Sequence, residues 1–404
     1  MISMRNGYLT AAIIGWFWAF TIAIIVAVIM SFSTGDPFRP SFWSSLVLGL
    51  GVGLTTLFFR DKRLLSLAFS VVAVIVSLAG FGAILVGEDV SLTMLIVANV
   101  LFAIFTAWPL LVILDSLVPG PVDKHEFEEA VIRFLTGFGY IFFTTIVLVP
   151  FYVMVMTSLK NQQELLQNPL DFTIDLSKGL DLFRSYFELF GDFGFGSYLW
   201  TSFYVSVITV FITLAFSIPG AYAVARLRFR GRAAFGRSIL LIYMVPMIVL
   251  ALPIYIVFSM TGLRNTILGI VLIYPVTTIP VALYMLQGYF RGLPAEVEEA
   301  GLMDGLSRLA VIWKITLPLA LPALASVSLY VFMIAWNEFL LALMLLDDPS
   351  KFTLTRGVAS LNSSEVPRQH LMAGAVIATL PIMALFLGLE RFMTKGLTAG
   401  SVKG

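Results

Sequence analysis

Long apolar runs separated by short charged segments dominate the chain. A helix that crosses a bilayer needs about 20 mostly apolar residues, because hydrocarbon offers the backbone no hydrogen-bonding partner. Such runs lie at 8–30, 42–59, 64–86, 92–114 and 134–156, and again at 198–225, 238–260, 267–290, 318–346 and 371–389. The pattern predicts an all-α polytopic membrane protein of about ten transmembrane helices. The first run follows Arg5 and is flanked by Ser31 and Ser33, but it exceeds the roughly 7–15 apolar residues of a secretory signal and reads as a span. Only one acidic or basic side chain, Glu338, falls inside any run.

Composition agrees: 59% of the 404 residues are hydrophobic and 12% charged, about half the share of charge in soluble domains. With 25 Lys and Arg against 24 Asp and Glu, there is no general basic field for nucleic acid. The absence of cysteine excludes disulfides, thiolate metal sites and cysteine nucleophiles. Charge therefore speaks through placement. Arg60, Lys62 and Arg63, and then Arg226, Arg228, Arg230, Arg232 and Arg237, mark cytoplasmic loops. Alternation puts both termini inside, with Arg391, Lys395 and Lys403 in agreement, and leaves Glu88 and Asp89 outside. Pro119, Gly120 and Pro121 mark a linker. The expected organisation is a front part over 1–115, a cytoplasmic linker over 116–133 and a six-span part over 134–404. The longest external segment, 158–197, carries turn signals such as Asn168-Pro169.

The most informative stretch is the cytoplasmic loop 291–317. Pro294 suits a first helical position, and Glu296, Glu298 and Glu299 favour the positive end of a helix dipole. Asp304-Gly305 is a stop signal. Ser307 can cap a second short helix through Ile315, which Pro318 ends or joins to the next span. Small residues at Ala300, Gly301 and Gly305 admit a close backbone, as in an element that sits in a partner's groove. From physics alone an amphipathic connector resting on headgroups is the leading reading.

These residues also carry a resemblance. Glu299-Ala300-Gly301, Gly305 and the Ile315-Thr316-Leu317-Pro318 run are spaced as in the EAA loop of binding-protein-dependent ABC importer permeases. Gly301 stands where the family has alanine, and Leu306 where alanine is common. The stretch from Ala221 to Arg232, the Ala335-Trp336-Asn337-Glu338-Phe339-Leu340 run and the ending from Lys395 to Gly404 are similar to the carbohydrate branch of that family. The likeness covers 134–404, and about four front helices lie outside it.

The resemblance implies a multi-pass protein of a prokaryotic inner membrane. Its partners would be a second permease subunit, two ATPase subunits that bind ATP and Mg, and an external solute-binding protein. It implies that Glu299 anchors the coupling helix on an ATPase, with Ala300, Gly301 and Asp304 beside it. Gly305 would allow the turn, and Ile315, Leu317 and Pro318 would set the exit into the ninth span. The tail 397–403 would approach the ATPases too. The chain itself has no Gly-Lys pair for a phosphate loop, so no cofactor is expected in it. Sugars of the maltose, maltodextrin, trehalose or other α-glucoside type are expected.

Glu338 with Asn337 is read in two ways: lining the solute path, or making a structural polar contact. Pro219, Pro246, Pro253, Pro275 and Pro280 interrupt the sixth to eighth spans as hinges or as ordinary membrane-helix prolines. An intramembrane enzyme lacks support, since His125 and His370 are far apart and no His-Glu-x-x-His or Gly-x-Ser-x-Gly occurs. A secondary transporter coupled to ions stays as the alternative, though one glutamate is thin support for it.

Overall fold

The computed structural model describes residues 6–87, 90–167, 172–363 and 366–398. Arg5, Glu88, Asp89, Asn168-Pro169 and the tail 399–404 lie outside the described residues, as do the side chains of 237, 240, 242, 243 and 390–398. The chain forms two compact units, Met1–Leu182 and Phe183–Gly404.

The first unit holds α1 (Gly7–Thr34), α2 (Phe42–Thr56), α3 (Lys62–Leu78), α4 (Leu92–Ile113), α5 (Lys124–Ser158) and the short α6 (Gln162–Gln167). A Cβ on Gly53 would stand 2.2 Å from the Ala11 carbonyl oxygen, and one on Gly15 2.4 Å from that of Gly49. Glycines four apart on α2 thus let its backbone touch α1, the arrangement that packs helices in lipid, where burial gives little drive. Pro109 inside α4 has no N–H for the Phe105 carbonyl, and the Trp18 indole donates to that oxygen at 3.1 Å. Strands β1 (Phe38–Pro40) and β2 (Ile84–Val86) pair antiparallel and join the α1–α2 and α3–α4 connections. The segment 116–133 folds back on the unit. Gly7 N–H donates to the Gly120 carbonyl at 2.8 Å, and Asn6 pairs with Pro121. Asp123 and Glu126 close a capping box at the start of α5. The resemblance assigns α5 to the six-span part; by compactness it groups with the front helices.

The second unit continues with α7 (Arg184–Gly191), α8 (Phe195–Arg226), α9 (Arg232–Tyr243), α10 (Met247–Met260) and α11 (Ile267–Gly292). Then come α12 (Ala295–Met303), α13 (Arg308–Val311), a π turn (Ile312–Thr316), α14 (Leu317–Leu319), α15 (Leu321–Asn337), α16 (Leu340–Leu345), α17 (Leu354–Ser360) and α18 (Arg368–Thr398). Helices α8 and α11 are its central pair. Thr209, Thr213 and Ser217 run along one face of α8 and are fully buried, and the Thr213 and Thr278 hydroxyls meet at 2.6 Å.

Among the described residues, α1, α4, α5, α8, α11 and α18 are single helices long and apolar enough to cross a membrane. The other four expected spans differ. Helix α2 has 15 residues, and α3 stops at Leu78 because Gly80 takes a φ of 85°. Ile84–Val86, expected inside that third span, is strand. The run 238–260 splits at Pro246, whose ring cannot continue α9. The run 318–346 bends by 81° between Leu319 and Leu321 and breaks again at Glu338.

On the segment that precedes α8, Glu188 of α7 meets Arg184 at 2.7 Å and His370 of α18 at 2.7 Å. The Arg184 hydrogen bond, and then that of His370, hold the Glu188 carboxyl below its ordinary value. A lowered folded-state value stabilises docking above the unfolded carboxylate range and is lost as pH falls through the folded value. Amide exchange in α7 should therefore rise on acidification below about pH 4, and Glu188→Gln should flatten that rise while loosening α7 at neutral pH. An unchanged acid limb in the variant would contradict this account.

Candidate functional site

The loop between α11 and α15 is built from its capping residues upward. The Arg226 guanidinium donates to the carbonyl of Leu293, the C-cap of α11, at 2.7 Å. Arg232 closes the end of α8 by donating to Val224 at 2.6 Å and Ala225 at 3.0 Å. Two arginines of the 221–232 motif are thus occupied with orphaned helix carbonyls, while Arg228 and Arg230 are exposed. Pro294 is the N-cap rather than the first residue of α12, a shift of one position.

Helix α12 ends as expected at Asp304-Gly305. Gly305 has a φ of 84°, and the Leu306 N–H returns to the Gly301 carbonyl at 3.0 Å. The Ser307 hydroxyl caps the next helix by accepting from the Ala310 N–H at 3.3 Å. That helix passes Pro318 instead of ending there. The π turn has the Leu317 N–H bonded to the Ile312 carbonyl, a widening that lets the Pro318 ring fit without clashing. The chain then turns at Ala320 into α15, whose second residue is Pro322.

The two halves of the motif meet inside the loop. Gly301 is buried, and a Cβ there would lie 2.5 Å from the Ile315 δ-methyl, with Leu306 and Val311 close by. Glu299, Ala300, Asp304 and Gly305 face outward, Pro318 is exposed, and Leu317 is half-buried. Met303 is 88% exposed, so the outer face of α12 offers an apolar end beside carboxylates.

Glu298, expected only as one of three dipole-favouring acids, has a different place in the structure. It is buried and accepts from the Tyr222 hydroxyl at 3.2 Å and the Thr316 hydroxyl at 3.1 Å, with Arg226 Nε 3.3 Å away. A helical wheel could have found it. Positions 298 and 301 are three apart on one face, and 299 lies nearly opposite 301.

Asn337 and Glu338 stand at the far end of α15, about 25 Å along its axis. Glu338 does not sit within a continuous span. It occupies the break between α15 and α16, and its carboxylate accepts from the N–H groups of Leu341 at 2.9 Å and Ala342 at 3.1 Å. That caps α16 in the manner of an N-terminal acidic residue. Its carbonyl accepts from Thr355 at 2.6 Å. Asn337 is exposed and donates to the Met333 carbonyl of its own helix at 2.9 Å.

Comparison with known proteins gives the same region its context. Residues 217–398 match the model of the binding-protein-dependent transport system inner membrane component. The inner membrane ABC transporter permease YcjP of Escherichia coli (strain K12) is 37% identical over 274 residues, 66% of this chain and 95% of that protein. The trehalose/maltose transport system permease MalG of Thermococcus litoralis is 33% identical over 281 residues, 69% of this chain and 99% of that one. The arabinooligosaccharide permease AraQ of Halalkalibacterium halodurans is 32% identical over 282 residues, 68% and 98% respectively. A solved bacterial ABC transporter for import of the acidic polysaccharide alginate has a chain that superposes with a TM-score of 0.56 at 23% identity, covering 65% of this chain and 97% of that one. About a third of this chain is surplus to each of these.

Proposed function

The chain belongs to the carbohydrate ABC importer permeases, the inner membrane components of binding-protein-dependent transport systems, and from that premise we propose that it couples ATP binding on partner subunits to sugar passage through α12. Members of this family are multi-pass inner membrane subunits of multi-subunit importers and are not themselves enzymes. The observation that carries the proposal is the division of α12 into two faces: Glu298 and Gly301 fastened inward, Glu299, Ala300 and Met303 presented outward. An outward face with acidic and apolar groups on a rigid support suits docking in a groove on a partner. ATP would then act by favouring the closed ATPase pair and the permease state that fits it.

In this reading the permease core is 134–404, both termini are cytoplasmic, and ATP and Mg reside on two ATPase subunits. A second permease completes the path, and an external solute-binding protein delivers the sugar. An α-glucoside of the maltose or trehalose type is the proposed cargo, supported by the similarity to a trehalose/maltose permease. Glu338 is proposed as a structural cap rather than a sugar ligand, because Leu341 and Ala342 occupy its carboxylate. Purification of the tagged chain from its native membrane tests the assembly and the cargo together. The expected outcome is co-purification of a second permease and an ATPase, with a binding protein that takes maltose or trehalose at micromolar concentration. Recovery of the chain alone, with sugar uptake intact, would contradict the reading.

A further inference from the structure

Glu298 and Glu299 are neighbours on one short helix with opposite surroundings. The Glu299 side chain is exposed, whereas that of Glu298 is 8% exposed, accepts from two hydroxyls and pairs with a guanidinium, these partners coming from two other elements. Tyr222 and Arg226 come from the last turns of α8. Thr316 is the last residue of the π turn that leads into α15, and its hydroxyl is fully buried. Arg308, at the start of α13, also faces the Tyr222 hydroxyl. Arg226 in turn holds the Leu293 carbonyl where α11 ends. One carboxylate thus joins α12 to α8 and to the entry of α15, and its guanidinium partner joins α8 to α11.

A helix of nine residues has little stability of its own. Apolar packing of Gly301 on Ile315 holds it down but does not resist sliding along the surface. Hydrogen bonds to a buried charge are directional, and removing one partner leaves the other uncompensated. Such a group fixes one geometry rather than a family of packed ones.

We propose that Glu298 is a positioning residue that makes α12 move as one body with the cytoplasmic ends of α8, α11 and α15, so that displacement of α12 reaches the core helices. This rests on the reading of α12 as the coupling element. The Glu298–Arg226 pair is then the mechanical joint of the importer, and Glu299 is the contact to its motor. Without the joint, α12 follows the ATPase while the core helices lag.

The test uses the complete complex in liposomes, with ATP hydrolysis and sugar uptake measured on one preparation. In Glu298→Ala the ATPase subunits remain bound and hydrolysis stays within about twofold, while sugar carried per ATP falls about tenfold, within the range by which coupling residues act. Glu298→Gln, nearly the same shape, loses part of that ratio, and Arg226→Met costs less on top of it than it does in the wild type, because part of what Arg226 does runs through Glu298. A parallel fall of assembly, hydrolysis and uptake, with the ratio unchanged, would overturn the proposal, as would a wild-type ratio in either Glu298 variant.

A second measurement does not depend on transport. The chain has no cysteine, so spin labels can be placed at Met303→Cys and Arg230→Cys, both exposed positions. The wild type should give one narrow distance distribution and Glu298→Ala a broad one, and an unchanged distribution overturns the joint. A wild-type complex that carries no sugar on ATP would instead overturn the reading of the chain as an importer subunit, whatever the labels show.

Discussion

Glu299→Lys should abolish ATP-driven sugar uptake while the chain inserts and folds normally. Its carboxylate is exposed at the outer face of α12, so the substitution takes little from the fold. A surface side chain of this kind alters stability by no more than about 0.5 kcal/mol. At a docked interface the same change places a cation where an anion is bound, and losing a buried charge pair costs about 2–5 kcal/mol. Uptake should fall by about two orders of magnitude or more, with the ATPase subunits lost on purification. Expression and thermal unfolding of the isolated subunit should match the wild type, which separates a docking defect from a folding one. Normal uptake in a variant that inserts would mean that Glu299 does not face the ATPase.

Substitution at Gly301 should separate two sizes of side chain sharply. The position is buried, and the nearest obstacle to a Cβ is the far end of the Ile315 side chain at 2.5 Å. A methyl group meets an atom that can rotate away, and the gain of about 1 kcal/mol in helix propensity offsets the strain. Gly301→Ala, which restores the residue that the family resemblance leads one to expect, should therefore keep uptake within about threefold of wild type. Valine adds two branches among Ile315, Leu306 and Val311, and overpacking of that kind costs about 1–3 kcal/mol. Because Gly301 packs directly on the π turn, that cost should appear as a loosening of α12 from it. Uptake should drop at least about tenfold, and amide exchange in 295–303 should rise. Equal behaviour of alanine and valine would show that the Gly301–Ile315 contact does not hold the loop.

Much of this arrangement was legible in the sequence because it follows from local chemistry. Apolar length located a helix in every expected span, and Ser307, Asp304 and Gly305 delimited the short helices of the loop where their capping chemistry required. Hydropathy was blind to interruptions. Residues 318–346 read as one run because Ala320 and Glu338, where the chain turns and breaks, are single positions in apolar surroundings. Ile84–Val86 is as apolar as the helix before it, and only pairing with Phe38–Pro40, distant in sequence, makes it strand. The place of Glu298 was missed for a related reason. Its neighbours Tyr222 and Thr316 lie far from it along the chain, and one of three glutamates in a row of acidic positions looks like solvated charge until those partners surround it. The close approach of Gly49 and Gly53 to α1 rests on a four-residue glycine spacing that hydropathy reads only as part of an apolar run.

The central claim, that ATP on partner subunits drives sugar through this chain, is tested most directly by uptake into liposomes holding the purified complex and its binding protein. ATP is supplied on the side of the α12 loop, and proton and sodium gradients are collapsed with ionophores. The account predicts sugar accumulation that starts with ATP, stops with a non-hydrolysable analogue and is indifferent to the gradients. Accumulation that persists without ATP and vanishes with the gradients would contradict it and make the chain an ion-coupled transporter.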